Sequence, residues 1–416
     1  MSNQLAVEAI KKKLTGKQLS YREVFTLMDE IAHQRLGPVL TTYFAAAGFQ
    51  QGFSIDELYY LTKAMVETGE KLHFNGIVAD KHSTGGVAGT RTTMIIVPII
   101  AATGVKIPKN SSRAITSASG TADTMEVLAK VNFTPAEIEK IVNKIGGCIV
   151  WGGHLGIAPA DDILIQVEEP LAFESFDKII VSILAKKVAS GATHLVLDLP
   201  VGPSMKIKHF KDAETIAEKF RTLCQRFNIK LTVDINQTLE PAGRGVGPIL
   251  ECRDVLSVLE QKKERPLALE EKAVRLAGRL LDLCFSDIPQ RKDLFGEDIA
   301  RKTLTSKEAL NKMREIIKEQ GGDETVSSEK LIPGEHFYEF KSLESGIIVS
   351  VDNKQINILA RILGSPNDKK AGVYLARHLE EKIDKSDVLF TLYSSDKWRL
   401  KEAEETLKHM PIYKIE

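Results

Sequence analysis

The stretch "ADKHSTGGVAGTRTT", residues 79–93, runs directly into the apolar "MIIVPIIAATGV", residues 94–105. The pattern predicts a short strand, a glycine-rich loop and then a helix that is apolar on all sides and therefore buried. Such a loop frees backbone N–H groups to face an anion, and the helix adds its positive N-terminal end. Lys81 supplies full charge, and Ser83, Thr92 and Thr93 supply hydroxyl donors. The order G-x-x-x-x-G-K-[ST] is absent, so this is not a Walker A loop. A tight turn with a solvated lysine is the plainer account, but it leaves the crowding of donors unexplained. Phosphate binding explains it.

Moving outward, "VKIPKN" reads as a strand, "IVNKIGGCIVWGG" as helix then strand, and "ATHLVLDLPVG" and "IKLTVDINQ" as buried strands around the amphipathic "AETIAEKFRTLCQRFN". Strands alternating with helices predict a mostly parallel sheet covered on both faces. A second polar loop, "NSSRAITSASGTAD" (110–123), follows the second strand and holds Ser111, Ser112, Arg113, Thr116, Ser117, Ser119 and Thr121. Helix capping accounts for one or two of these hydroxyls, not for all of them beside an arginine. Two such loops at the carboxyl edge of a parallel sheet face one crevice, where a single phosphate can bridge them.

Three weaker signals remain. Ser182 and Lys186 in "VSILAKK" stand at i, i+4 on one helix face, which by itself is usually a solvated face. Lys206 and Lys208 follow the Gly-Pro turn of "LPVGPSMKIK". His154 in "WGGHLGIAPADD" reads as structural.

Residues 1 to about 70 are periodic and helical, with capping-box patterns at Ser20/Glu23 and a cap at Ser54. The expected fold class is α/β: a small all-helical domain (1–70, rejoined by about 162–190), a large mostly parallel α/β domain (71–161 and 191–330) and a C-terminal α+β module (331–416). Lysine plus arginine equals aspartate plus glutamate, 56 each among 416 residues. That balance does not call for nucleic acid or an anionic membrane as partner. Cys148, Cys224, Cys252 and Cys284 are far apart and form no C-x-x-C pair, so neither a disulfide framework nor a zinc site is expected. The N-terminus lacks a signal-peptide core, and no apolar run reaches the ~18 residues of a membrane span. A cytoplasmic setting is expected.

"DKHSTGG", the loop "SSRAITSASGTADTMEV", "IAPAD" and "SILAKK" together resemble the thymidine and pyrimidine nucleoside phosphorylases, in order and across nearly the whole chain, including "LGSPNDKKAGVYL". The resemblance implies a helical domain beside an α/β domain, a cleft between them and a homodimer. Within the family, "SSRAITSASGTADTMEV" and "GGCIVWGG" look like the AMP phosphorylase branch. That branch converts nucleoside 5′-monophosphates and phosphate to ribose 1,5-bisphosphate and free base.

The thymidine enzymes carry a pyrimidine-gripping arginine shortly after "APAD"; here the segment reads "DDILIQVEEPL", with Glu168 near that place. The loop after Gly-Gly-Val is one residue longer here, and their "VGSGAF" turn is "VGPSMKIK". AMP phosphorylases usually carry a further domain before the helical block, whereas this sequence begins at that block.

Carried over residue by residue, Gly86, the stretch Ser112–Arg113–Ala114–Ile115–Thr116–Ser117, Thr121, Ser182 and Lys206 are substrate-binding positions. Lys186 joins Ser182 on its helix face. Lys81, Ser83, Thr93, Ser111 and Thr121 form the expected phosphate cradle, and Arg113 and Lys206 are the cations expected for a 5′-phosphate. The branch's proton donor falls on Glu174, with Asp177 as a second candidate, while the pyrimidine branch gives that work to His82. No metal or redox cofactor is implied; inorganic phosphate is a co-substrate. The alternatives are pyrimidine nucleoside phosphorolysis, phosphoribosyl transfer as in anthranilate phosphoribosyltransferase, and a nucleotide-binding protein without catalysis.

Overall fold

The structure, a computed structural model, describes residues 2–114, 117–168 and 175–416. Four helices come first: α1 (Ser2–Leu14), α2 (Tyr21–Ala32), α3 (Gly37–Gln51) and α4 (Ile55–Glu67). Ser20 and Ser54 cap α2 and α4 in full capping boxes with Glu23 and Glu57, each box satisfying N–H groups that a helix start leaves open.

The α/β part follows as β1 (Ala79–Ser83), α5 (Thr93–Ala102), β2 (Ile107–Ser111), α6 (Thr121–Met125), α7 (Pro135–Ile145) and β3 (Gly147–Trp151). Two helices, α8 (Pro159–Glu168) and α9 (Phe176–Ala189), then return to pack on α2, α3 and α4. This return begins at Pro159, where the sequence pattern placed it at about residue 162. The sheet resumes with β4 (His194–Val201), α10 (Phe210–Arg226) and β5 (Lys230–Gln237).

All these strands are parallel. β1, β4 and β5 form one ladder and β2 and β3 another, joined by a parallel bridge between Val78 and Lys106. The spatial order is β3-β2-β1-β4-β5. β4 is buried throughout, as expected, whereas β5 stands at the edge of its ladder and is mostly half-buried. Chain progression reverses across β1, so the loops leaving β1, β2 and β4 open at one switch point. The sheet separates two cores. Leu195, Leu197 and Leu199 of β4 face the core shared with the helical block, whereas Val196 faces the core built on α5, as the two-residue strand period requires.

The second core is completed by α11 (Pro248–Leu259), α12 (Leu267–Phe285), α13 (Gly296–Thr305) and α14 (Glu308–Glu319). β6 (Gly245–Val246) precedes them. The C-terminal module holds β7 (His336–Lys341), β8 (Gly346–Val351), α15 (Asn353–Leu363), β9 (Gly372–Leu375), β10 (Lys382–Ile383), β11 (Val388–Ser394), α16 (Lys397–Leu407) and β12 (Tyr413–Ile415).

The expected boundary at residue 331 is crossed in one respect. β6, from the α/β stretch, pairs with β9 and completes the module's four-stranded sheet. Two residues carry too weak a periodic signal to announce a strand. The four cysteines are buried and unpaired. Among the described residues no helix is long and apolar enough to cross a membrane.

Candidate active site

β1 runs through the motif itself, so Asp80, Lys81, His82 and Ser83 are strand residues with alternating faces. Asp80 points to the α9 side, where it pairs with Lys109 Nζ of β2 at 3.2 Å and Lys187 Nζ of α9 at 2.6 Å. The three groups are almost wholly buried. Although burial opposes its charge, Lys109 and Lys187 hold the Asp80 carboxyl below the usual carboxylate range. His82 shares this side. Burial, and then Lys187 and Lys109, push its imidazole well below its ordinary value, so it is neutral at pH 7.

Lys81 takes the opposite face. Its Nζ donates to Thr92 Oγ1 at 3.1 Å, at the start of α5, and lies 3.6 Å from Asp198 Oδ2. Lys81 is 3% exposed, and burial lowers its pKa to about 8, against the attraction of Asp198. Asp198 is shared with Lys272 of α12 at 3.5 Å and with the Asn236 amide at 2.8 Å. The cation is therefore desolvated and only partly neutralised, beside the positive end of a helix.

Around it, Ser83 ends β1 and Thr93 opens α5. Gly86 sits at φ +86°, and a Cβ there would meet Lys206 Cγ at 3.2 Å. Lys206 thus lies across the first loop. Ser111 ends β2. Among the described residues, Ser111 Oγ and Thr84 Oγ1 are buried without a hydrogen-bond partner. Buried hydroxyls are ordinarily satisfied, so this pair at the mouth of two adjoining loops fits donors aimed at an anion.

The second loop is folded on itself. A Cβ on Gly120 would come within 2.5 Å of Ser112 O. Asp123 Oδ2 accepts from the Ala114 and Gly120 N–H groups, at 2.7 and 2.9 Å. Ser117 Oγ donates to Ser119 O at 2.8 Å, and Ser112 is exposed. Thr121 opens α6, and its hydroxyl accepts from Arg91 Nη1 at 3.5 Å. Ile115 and Thr116 lie outside the described residues.

The expectation that Arg113 stands ready for a 5′-phosphate is corrected. Its guanidinium is engaged by Glu126 at 2.6 Å and Asp123 at 3.0 Å and stacks over Trp151 at 4.6 Å. Arg113 in turn pulls Glu126 down to about 2. Three groups converge on Arg113, and sequence spacing could show none of them.

Ser182 and Lys186 face inward, not into solvent. Both meet Asp161 Oδ2 at 2.7 Å. Burial works against the Lys186 charge, but Asp161 holds its pKa above the ordinary value. Asp162 beside them is pushed up to about 6 by burial, against the pull of Lys186. Of the proton-donor candidates, Glu174 lies outside the described residues. Asp177 is committed elsewhere: it pairs with Lys219, and its Oδ2 accepts from Phe53 N–H at 3.0 Å. Glu168 pairs with Lys178.

Sequence reasoning missed several site residues. Arg91 joins Glu251, Ser119 O and Thr121, tying α11 to both loops. Asp161 was visible as part of "IAPAD", and Asp198 as the one charge inside "LVLDLP". No pattern marked Arg91. Among the described residues no cluster of three or more His, Cys, Asp or Glu could hold a metal ion.

Comparison with known proteins matches this geometry. Residues 7–69 match the helical bundle domain of a glycosyl transferase family, residues 75–249 its a/b domain, and residues 347–414 the pyrimidine nucleoside phosphorylase C-terminal domain. The chain is 42% identical to AMP phosphorylase 1 of Archaeoglobus fulgidus, over 96% of this chain and 78% of that one. It is 39% identical to the AMP phosphorylase of Methanocaldococcus jannaschii, over 98% and 80%. It is also 42% identical to a Methylococcus capsulatus protein named, provisionally, as a thymidine phosphorylase, over 94% and 74%. The fold alone is shared with anthranilate phosphoribosyltransferase from Thermus thermophilus: TM-score 0.61, 19% identity, 75% of this chain and 99% of that one. A switch-point lysine between two donor-rich loops, all three domains in order and this span of identity lead to one conclusion: the chain belongs to the thymidine and pyrimidine nucleoside phosphorylase family, together with the AMP phosphorylases within it.

Proposed function

We propose that the protein is a pentosyltransferase that cleaves the N-glycosidic bond of a nucleoside 5′-monophosphate, AMP-like, with phosphate as nucleophile. The products are ribose 1,5-bisphosphate and free base. The observation that carries this reading is Lys81, a buried, partly neutralised cation at the switch point, flanked by the unpartnered hydroxyls of Thr84 and Ser111. The relatives named AMP phosphorylase direct it to a monophosphate.

In this reading Lys81, Ser83, Thr93, Ser111 and Thr121 hold phosphate below C1′ of the sugar. Fixing the nucleophile at attack distance removes much of the entropic barrier. The bound phosphate's negative charge then stabilises the oxocarbenium character that develops at C1′. The leaving base needs a proton or a hydrogen bond. His82, held neutral, can donate an N–H hydrogen bond but does not act as an imidazolium acid at pH 7. Asp177 is tied to Lys219, so the acid falls to Glu174. Gly86, Ser182, Lys186 and Lys206 complete the substrate contacts, and Lys206, whose side chain lies against Gly86 of the first loop, is the cation assigned to the 5′-phosphate. Ser112 and Ser117 contribute from the second loop in this scheme. No metal or redox cofactor takes part in this scheme.

We place the enzyme in the cytoplasm as a homodimer; Val39 and Tyr43, exposed one turn apart on α3, offer it an apolar face. The second reading, pyrimidine nucleoside phosphorolysis, is favoured by the neutral His82 and by the matched C-terminal domain.

The test is phosphate-dependent base release from AMP, CMP and UMP against adenosine, uridine and thymidine. Release from monophosphates alone is the expected result. Release from thymidine or uridine with monophosphates inert would overturn the proposal in favour of the second reading. A further prediction follows from Arg113. Arg113→Met costs about 1–2 kcal/mol of stability in urea unfolding, because Asp123 loses a charged partner. The preference for monophosphate over nucleoside shifts by less than about threefold. A collapse of that preference would return Arg113 to the 5′-phosphate.

A further inference from the structure

The two loops that face the anion are held from outside the α/β domain, by one helix of the C-terminal module. Asn353 and Asn357 stand at i, i+4 on α15, and both are buried. Asn353 Oδ1 accepts from Ala88 N–H of the first loop at 2.7 Å, and its Nδ2 donates to Gly86 O of that loop at 2.6 Å. Asn357 Oδ1 accepts from Ala118 N–H of the second loop at 2.9 Å, and its Nδ2 donates to Asn353 O at 3.1 Å. The side chains of Ala88 and Ala118 are buried in the module's own core with Ile356, Leu359 and Ala360. Past the helix, Lys369 reaches Glu126 at 2.9 Å and Asp123 at 3.4 Å, the residues that brace the second loop.

We propose that Asn353 and Asn357 are positioning residues that set the separation and orientation of the two phosphate loops. The inference rests on the phosphorolytic reading above for what the loops bind. Each loop is rich in small residues, and Arg91 and Asp123 brace the second from within the α/β domain, so α15 adds the grip on the backbone of both that the donors' placement needs. One turn of one helix supplies that grip to both. Neither asparagine touches substrate in this scheme. The module's task is thus to preorganise the nucleophile's site.

The test measures phosphate twice in Asn353→Ala and Asn357→Ala: as KM in steady-state turnover and as Kd by calorimetry with inorganic phosphate alone. Circular dichroism checks folding, and Asn357→Ser serves if an alanine variant does not fold. The expected result is a rise of about tenfold in phosphate KM and Kd, equivalent to about 1.4 kcal/mol, with nucleotide KM within about twofold. An unchanged phosphate Kd in folded variants overturns the proposal. So does an equal rise in both KM values with a matching loss of stability, which is what mere scaffolding would produce. If wild-type protein binds phosphate but releases no base from any substrate, the phosphorolytic reading fails, and the calorimetric Kd still decides the positioning role. Wild-type protein that does not bind phosphate sinks both.

Discussion

Lys81→Ala lowers kcat/KM by about 10³ and leaves the fold standing. The size follows from position: one preorganised donor in a water-excluded site is worth roughly 10²–10³ in rate, and this one carries full charge. The fold survives because Asp198 keeps Lys272 at 3.5 Å and Asn236 at 2.8 Å. Lys81→Arg does not rescue, since a guanidinium does not fit where Nζ lies 3.1 Å from Thr92 Oγ1 and 3.6 Å from Asp198. A loss below about tenfold would remove Lys81 from the cradle.

The same lysine has a pH signature. Its folded pKa, about 8, lies below the ordinary 10.5 because burial disfavours the charge. The cation that binds phosphate is present below pH 8 and lost above it, so phosphate affinity falls as pH rises through about 8. In free protein the unfolded chain binds the extra proton between about 8 and 10.5, so this group adds stability as pH rises across that window. Bound phosphate stabilises the charged form, so the affinity loss begins near pH 8 and levels off only above the raised pKa of the complex. An affinity that stays flat from pH 7 to pH 10 would contradict the assignment.

Asp80→Ala is the largest expected stability defect, about 3–5 kcal/mol. It strips the partner from two cations at once, Lys109 at 3.2 Å and Lys187 at 2.6 Å, both almost wholly buried. It also removes the acceptor of the Lys81 backbone N–H at 2.7 Å, on the strand that carries the site. Urea denaturation followed through the α/β domain measures the loss. The triple change Asp80→Leu with Lys109→Met and Lys187→Met recovers most of it, because the cost lies in stranded charge more than in lost attraction. A single variant within about 1 kcal/mol of wild type would show that water reaches this cluster.

How much was legible beforehand follows from the range of each interaction. Capping at Ser20 and Ser54, the all-apolar helix at 93–102 and the strands at 194–201 and 230–237 are local properties: a side chain within four residues of its partner, or a run with one period. The glycine-rich loop after β1 and the hydroxyl-rich loop after β2 were likewise visible, because they are continuous in sequence. They place Lys81, Ser83, Ser111 and Thr121 at one sheet edge once a parallel sheet is assumed.

What the chain's order of residues could not decide was which charges meet. Arg113 looked free beside its serines, yet Glu126, Asp123 and Trp151 take it. Ser182 and Lys186 looked solvated, yet both turn onto Asp161. Lys81 and Asp80 are neighbours in sequence and face opposite cores, one between Thr92 and Asp198 and the other locked between two lysines. Asn353 and Asn357, more than 230 residues from the loops they grip, carried no local signal. Secondary structure, sheet type and the two donor-rich loops are written in the residue order, since they depend on short-range periodicity and backbone freedom. Which cations stay available and what holds the loops emerges only from packing, because burial and pairing depend on elements that lie far apart along the chain and meet in the fold.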